Sequence, residues 1–115
     1  MNDLYFDYMQ ERDPEFNSIV DEYGFATYRY LDLENTRAVY IEDLYVKPCY
    51  RKSNKASELS EKVQKIAKEK GCTLLLGTVD ITRSTATDSI KVLLAHGMRL
   101  SNYFENNLLW FNKEI

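Results

Sequence analysis

Ala38-Val-Tyr-Ile-Glu-Asp-Leu-Tyr-Val-Lys-Pro-Cys-Tyr-Arg-Lys-Ser-Asn-Lys-Ala-Ser-Glu-Leu59 changes character twice within one stretch. Ala38–Val46 is rich in β-branched and aromatic residues and predicts a long strand. Pro48, which has no N–H to give a ladder, ends it. Beyond a short loop carrying Arg51, Lys52 and Lys55, the residues Ala56, Leu59, Val63, Ile66 and Ala67 recur at three- and four-residue spacing. Glu58, Glu61, Lys62, Lys65, Lys68 and Glu69 fill the other positions, so the spacing predicts an amphipathic helix. Gly71 stands where a left-handed C-cap belongs. A helix N-terminus offers unpaired N–H groups and partial positive charge, and three cations add to it. The loop therefore reads either as a cradle for phosphate or as a solvated basic turn.

Upstream, residues 2–14 are acidic and aromatic, with Tyr5, Tyr8 and Met9 at helical spacing, and Pro14 ends the short helix they predict. Phe16–Tyr23 reads as a strand, Gly24 as a break, and Phe25–Leu31 as a second strand. Asp32–Thr36 is a turn that folds this strand back on Ala38–Val46 as a hairpin. Downstream, Cys72–Val79 reads as a buried strand from its apolar run, and residues 80–87 as a polar loop. Thr87 is placed to cap a helix over Asp88–His96, closed by Gly97. Met98–Phe104 and Asn107–Asn112 predict a last hairpin around Glu105-Asn106. Helices alternating with strands in this order predict an α+β or α/β fold: a mixed, mainly antiparallel twisted sheet flanked by helices.

At 115 residues the chain is one domain, 1–115, with no repeat and no Gly/Ser/Pro-rich linker to divide it. Hydrophobic residues make up 44% and charged residues 29%, which disfavours collagen, disorder and coiled coil. The net charge of −3 hides a split: residues 1–46 hold eleven acids against three arginines, a net of −8, and the remainder carries +5. Such asymmetry predicts two surfaces with different partners. No apolar run reaches membrane-spanning length and no targeting segment is visible, so the expectation is a cytoplasmic protein without a membrane partner. Cys49, Cys72 and a single His are too few for a structural zinc site, and no metal is expected.

Ile41-Glu-Asp-Leu-Tyr-Val46, Pro48, Tyr50-Arg51, a six-residue loop, the amphipathic helix and Gly71-Cys72 resemble the core of the GCN5-related N-acetyltransferases (GNAT), most closely the diamine-acetyltransferase-like branch. The resemblance is specific over residues 38–72 and looser over 24–112, with a cofactor-binding core at about 38–97. The signature loop of that family, Gln/Arg-x-x-Gly-x-Gly/Ala, corresponds to Arg51-Lys-Ser-Asn-Lys-Ala56, with Asn54 at the middle Gly. The resemblance implies that acetyl-CoA is co-substrate. It also implies that the backbone of Leu44, Tyr45 and Val46 meets its pantetheine arm, and that the loop Arg51, Lys52, Ser53, Asn54, Lys55, Ala56 and Ser57 holds its pyrophosphate. Glu42 matches the strand carboxylate that acts as general base toward an amine, a role that suits a group able to take a proton near neutral pH. Strand alternation is expected to set Glu42 and Asp43 on opposite faces.

Downstream the pattern changes. The Gly-Phe pair of the family is Gly97-Met98 here, which puts Leu93 at the position of the usual general-acid Tyr and Ala86 near that of an Asn. Tyr103 and Tyr45 are the candidate substitutes. The implied function is acetyl transfer to a primary amine on a polyamine, a lysine or a protein N-terminus. The acidic first half fits a cationic amine or basic protein as partner. The alternative is a catalytically degenerate relative that binds protein through segment 2–31. Glu58, Glu61 and Glu69 interrupt the basic helix face and disfavour nucleic acid. His96 reads as a helix C-terminal residue, Cys49 as structural and Trp110 as sheet core. Leu108, Leu109 and Trp110 form the candidate surface for a homodimer.

Overall fold

The structure, a computed structural model, describes residues 4–115. Its elements run α1 (Leu4–Arg12), β1 (Asn17–Val20), β2 (Gly24–Asp32), β3 (Arg37–Val46), a 3-10 turn at Pro48–Tyr50, α2 (Lys55–Glu69), β4 (Leu74–Asp80), α3 (Ala86–Ala95), β5 (Arg99–Glu105) and β6 (Leu108–Glu114). The strands form one six-stranded sheet in the order β1-β2-β3-β4-β6-β5. Every neighbouring pair is antiparallel except β3 and β4. The mixed, mainly antiparallel sheet with flanking helices expected from the sequence is the fold observed.

The amphipathic pattern of α2 turns Leu59, Val63 and Ala67 inward, and all three are fully buried. Val63 and Ala67 pack with Ala26, Tyr28, Val39, Leu75, Val79 and Phe111 of the sheet, and Ile90 and Leu93 of α3 close the same cluster. Both long helices therefore cover one face. On the other face α1 is held by aromatic contacts, with Phe6 5.1 Å from Phe25 and 6.1 Å from Phe16 between ring centroids. Tyr5 and Tyr8, whose spacing predicts the helix, are exposed on it, and Phe6 supplies the inward contact. Asn2 and Asp3 of the expected helix lie outside the described residues.

Several boundaries move for identifiable reasons. The first strand is only Asn17–Val20, because the Asp21 carboxylate accepts the amides of Tyr23 at 2.7 Å and Gly24 at 3.0 Å and turns the chain. Cys72 and Thr73 precede β4 rather than opening it, since the Cys72 amide still bonds to Ala67 O at the end of α2. The next helix begins at Ala86, so Thr87 lies inside it and caps nothing. The last hairpin turns on Asn106 and Asn107, both at positive φ, the signature of a two-residue turn between twisted strands. Trp110 is half-buried on the face away from α2 and α3, between Tyr40 and Tyr103, and it is Phe111 that enters the core. The exposed apolar residues of this hairpin are Leu100, Tyr103 and Phe104, whereas Leu108, Leu109 and Trp110 are partly covered.

Two irregularities in β3 position the site. Its parallel pairing with β4 is confined to Ala38–Tyr40 against Leu74–Leu76, after which the strands part. On the other side its register against β2 jumps from Tyr28 opposite Ile41 to Thr27 opposite Asp43, leaving Glu42 as an extra, unpaired residue. That is a β-bulge. Gly24 allows the far end of β3 to lie close to β2, since a Cβ there would stand 1.9 Å from the Tyr45 carbonyl oxygen.

Candidate functional site

Beyond Tyr40, β3 keeps β2 as a partner on one edge and, among the described residues, has no partner strand on the other. The open edge runs from Ile41 to Val46, where Leu44 and Tyr45 are exposed and Val46 is buried. An unpaired strand edge presents N–H and C=O groups to any extended ligand with amides of its own. Where the strands part, the Tyr40 hydroxyl meets Thr78 Oγ1 of β4 at 2.8 Å, bridging the foot of the opening. Leu93 of α3 lies against Gly77, the first β4 residue past the split. Leu93 packs there against the core cluster and carries no hydroxyl.

The bulge overturns the expected division of the two carboxylates. Glu42 bonds to Arg29 and Asp43 accepts from Thr27 Oγ1 at 3.2 Å, and Thr27 and Arg29 are two apart on β2 and so share a face. One inserted residue has set both carboxylates on the face away from the long helices. Glu42 Oε1 lies 2.6 Å from Arg29 Nε, Asp13 Oδ2 lies 3.0 Å from Nη2, and Glu15 Oε2 lies 3.6 Å from Nη1. One guanidinium thus serves three carboxylates. The hydrogen bonds Arg29 donates to Glu42 and then to Asp13 push its pKa up, and Arg29 with the Glu15 amide holds Asp13 below its ordinary range. The Arg29 side chain is 24% exposed and Glu42 31%, so such pairs contribute on the order of 1 kcal/mol or less, and their consequence is orientation more than stability. Sequence reasoning missed this network. The available signal was Arg29 itself, the only cation between Arg12 and Arg37 in an acidic segment.

At the far end of the open edge the chain makes the loop Arg51–Asn54 and enters α2. Lys52 and Asn54 have φ of 65° and 69°, in the left-handed region, so Asn54 takes the backbone conformation that a glycine would adopt freely. Asn54 gives α2 no side-chain cap, which leaves the first amides of the helix directed at the loop. Alternating left-handed residues before a helix start form a concave array of N–H groups suited to phosphate. Arg51 to Asn54 are exposed, and Lys55, Ala56 and Ser57 are partly covered. Arg51 Nε donates to Val46 O at 2.9 Å and its guanidinium lies 5.5 Å from the Tyr45 ring, tying the loop to the open strand. Lys55 Nζ lies 4.1 Å from the centre of the Tyr23 ring and 3.3 Å from Glu58. His96, the residue at the C-terminus of α3, meets the Ser57 hydroxyl through Nε2, so it braces the start of α2 as well as closing its own helix. Cys49 is a free, exposed thiol in the 3-10 turn and Cys72 is a buried one whose pKa burial pushes up.

Glu42, the Leu44–Val46 edge and the Arg51–Ser57 loop thus lie in sequence along one strand and its exit. Tyr103 lies elsewhere on the sheet, its hydroxyl bonded to Glu105 and its ring against Trp110. No helix among the described residues is long and apolar enough to cross a membrane.

The family model for the acetyltransferase (GNAT) family matches residues 2–98. Thialysine N-epsilon-acetyltransferase of Bos taurus is 39% identical over 62 residues, which are 54% of this chain and 36% of that enzyme. The chain thus matches about a third of the length of this curated relative. Among solved structures, the PaiA N-acetyltransferase of Thermoplasma acidophilum in complex with coenzyme A is similar at a TM-score of 0.72 and 16% identity, over 97% of this chain and 69% of that one. The NatC complex bound to Gag peptide and CoA is similar at 0.70 and 15%, over 100% of this chain and 80% of its own. At such identities these structures testify to the fold. The split between β3 and β4, the bulge at Glu42 and the left-handed loop before α2 agree with the family match, and the chain belongs to the GNAT family, whose co-substrate is acetyl-CoA.

Proposed function

We propose that the protein transfers the acetyl group of acetyl-CoA to a primary amine. The observation that carries this reading is the bulged carboxylate of Glu42 on the strand whose free edge leads into the Arg51–Ser57 loop. The residues fit the co-substrate: left-handed Lys52 and Asn54 open backbone amides toward a pyrophosphate, and the edge of Leu44, Tyr45 and Val46 is free to pair with the pantetheine amides. An acyl thioester supplies the activated acetyl carbon.

An amine is protonated at neutral pH and cannot attack until a proton is removed. In this reading Glu42 takes a proton from the ammonium, directly or through one water, and frees the lone pair. The C–N bond then forms as the C–S bond breaks, and the second proton of nitrogen passes to the departing thiolate through solvent. A thiolate departs without full protonation more readily than an alkoxide would, so Leu93 in place of a general acid slows the step without forbidding it. Asp13, Glu15, Glu42 and Asp43 set four carboxylates against one guanidinium on the acceptor face. This supports a cationic acceptor such as a polyamine, a lysine or a protein N-terminus.

The test is Glu42→Gln. Acetylation of an amine panel by acetyl-CoA should fall about 100-fold or more, with calorimetric acetyl-CoA affinity unchanged. A variant that turns over at the wild-type rate removes Glu42 from the mechanism. A second reading, a module that binds protein and performs no transfer, is favoured by Leu93, which packs against the core and offers no hydroxyl, and absence of acetyl-CoA binding at millimolar concentration would select it.

A further inference from the structure

We infer that Arg29 is a positioning residue for Glu42, and that Asp13 and Glu15 hold it in place, so that the turn after α1 sets the aim of the proposed base. The inference rests on the proposed acetyl transfer, with Glu42 as the proton acceptor.

A bulged residue lacks its own ladder partner, so its side chain is less constrained than its neighbours. Glu42 has three side-chain torsions and stands at an open strand edge. The direction of its carboxylate is therefore decided by what bonds to it, and its polar partner is Arg29 Nε at 2.6 Å. An arginine fork can serve this purpose because its donors diverge in one plane. Nε donates to Glu42 and Nη2 to Asp13 at 3.0 Å, while the exposed Glu15 adds a looser ion pair to Nη1 at 3.6 Å. Those anchors come from another element: the Asp13 amide bonds to Met9 O at the end of α1, and its carboxylate also accepts the Glu15 amide at 3.1 Å. The guanidinium is thus anchored from the α1–β1 turn through Nη2, and its Nε donates to Glu42. Sharing also matters electrostatically, because one cation among three anions leaves the group net negative and able to attract a cationic amine.

A positioning role predicts that Arg29 acts only through Glu42. Arg29→Gln should lower kcat about tenfold with KM for acetyl-CoA unchanged, and Arg29→Lys, which keeps charge but loses the fork, should recover only part of it. The deciding measurement is a double-mutant cycle on kcat with Arg29→Gln and Glu42→Gln. If Arg29 works through Glu42, the double variant is no slower than Glu42→Gln alone. Multiplicative losses in the double variant would overturn the positioning role while leaving Glu42 as the base. A Glu42→Gln single variant at the wild-type rate would overturn both. Should Arg29→Gln fail to fold, the same cycle is run with Asp13→Asn, where a several-fold loss that vanishes in the Glu42→Gln background supports the coupling and an undiminished loss overturns it.

Discussion

Position 54 puts the geometry of the loop to a quantitative test. Asn54 has φ of 69° and ψ of 12°, and its residue type is among the few that tolerate the left-handed region. An ordinary L-residue there is strained by about 1–2 kcal/mol relative to glycine, and a β-branched one by at least that much. Asn54→Val therefore has two routes. If the loop keeps its shape, stability falls by about 1–2 kcal/mol, a drop of roughly 4–8 °C in the melting midpoint of a domain this size. If the loop relaxes, the backbone between Lys52 and α2 no longer directs its amides at one point, and acetyl-CoA binding weakens by about tenfold for each 1.4 kcal/mol lost. Asn54→Gly behaves differently: relief of strain and greater unfolded-state freedom nearly cancel, so stability stays within about 0.5 kcal/mol and affinity is equal or better. Thermal melts and calorimetry with acetyl-CoA on the two variants read both routes. Asn54→Val matching wild type in midpoint and in affinity would refute the argument, as would a tenfold loss of affinity in Asn54→Gly, which would show that the amide side chain matters and the backbone conformation does not.

Arg51→Ala removes the bond to Val46 O and the cover on Tyr45, and should weaken acetyl-CoA several-fold in calorimetry with little change in melting point, because the lost contact is half-exposed. For Asp21, burial favours the protonated form, but the Tyr23 amide, Lys62 and the Gly24 amide outweigh it and the folded pKa is lowered. A depressed carboxylate contributes stability above about pH 4 that is lost as pH falls. Asp21→Ala should thus be less stable by about 1–2 kcal/mol in urea titrations at pH 7, with the gap closing below about pH 3. Tyr28 runs the other way: burial, with Tyr30 beside it, pushes its pKa up to about 12. Its contribution is complete below about pH 10 and disappears as pH rises toward 12, so Tyr28→Phe should flatten the alkaline fall in stability over that window. An unchanged alkaline profile would show that Tyr28 does not ionise on unfolding there.

What the sequence carried plainly was local: the 3- and 4-residue spacing of Leu59, Val63 and Ala67, the β-rich run ending at Pro48, and the cationic turn between them. Each depends on neighbours within two helical turns, which is the range over which periodicity carries information. The placement of β4 between β3 and β6 depends on residues such as Leu75, paired with Val39 on one side and Lys113 on the other. No local pattern encodes those partners. Helix starts shifted for the same reason, since Ala86 is partly covered by the core that Ile90 and Leu93 join, and that packing, absent from any cap motif, sets where α3 begins.

The opposite faces expected for Glu42 and Asp43 failed at the residue proposed as the base. Alternation holds only while both strands advance one residue at a time, and at Glu42 β3 advances two for one of β2. Bulges recur beside active sites because they re-aim a side chain without breaking the sheet. Had the ladder stayed regular, Asp43 opposite Thr27 would leave Glu42 opposite Tyr28, turned with it toward the buried cluster and away from Arg29. A carboxylate there would be desolvated without a partner, a costly arrangement. The extra residue resolves that conflict and delivers Glu42 to the face where Arg29, Asp13 and Glu15 are waiting. Deleting Ile41 should therefore harm acetyl transfer about as much as Glu42→Gln, even if the hairpin still pairs, because Glu42 would then stand opposite Tyr28 with its carboxylate withdrawn from the open side of the strand.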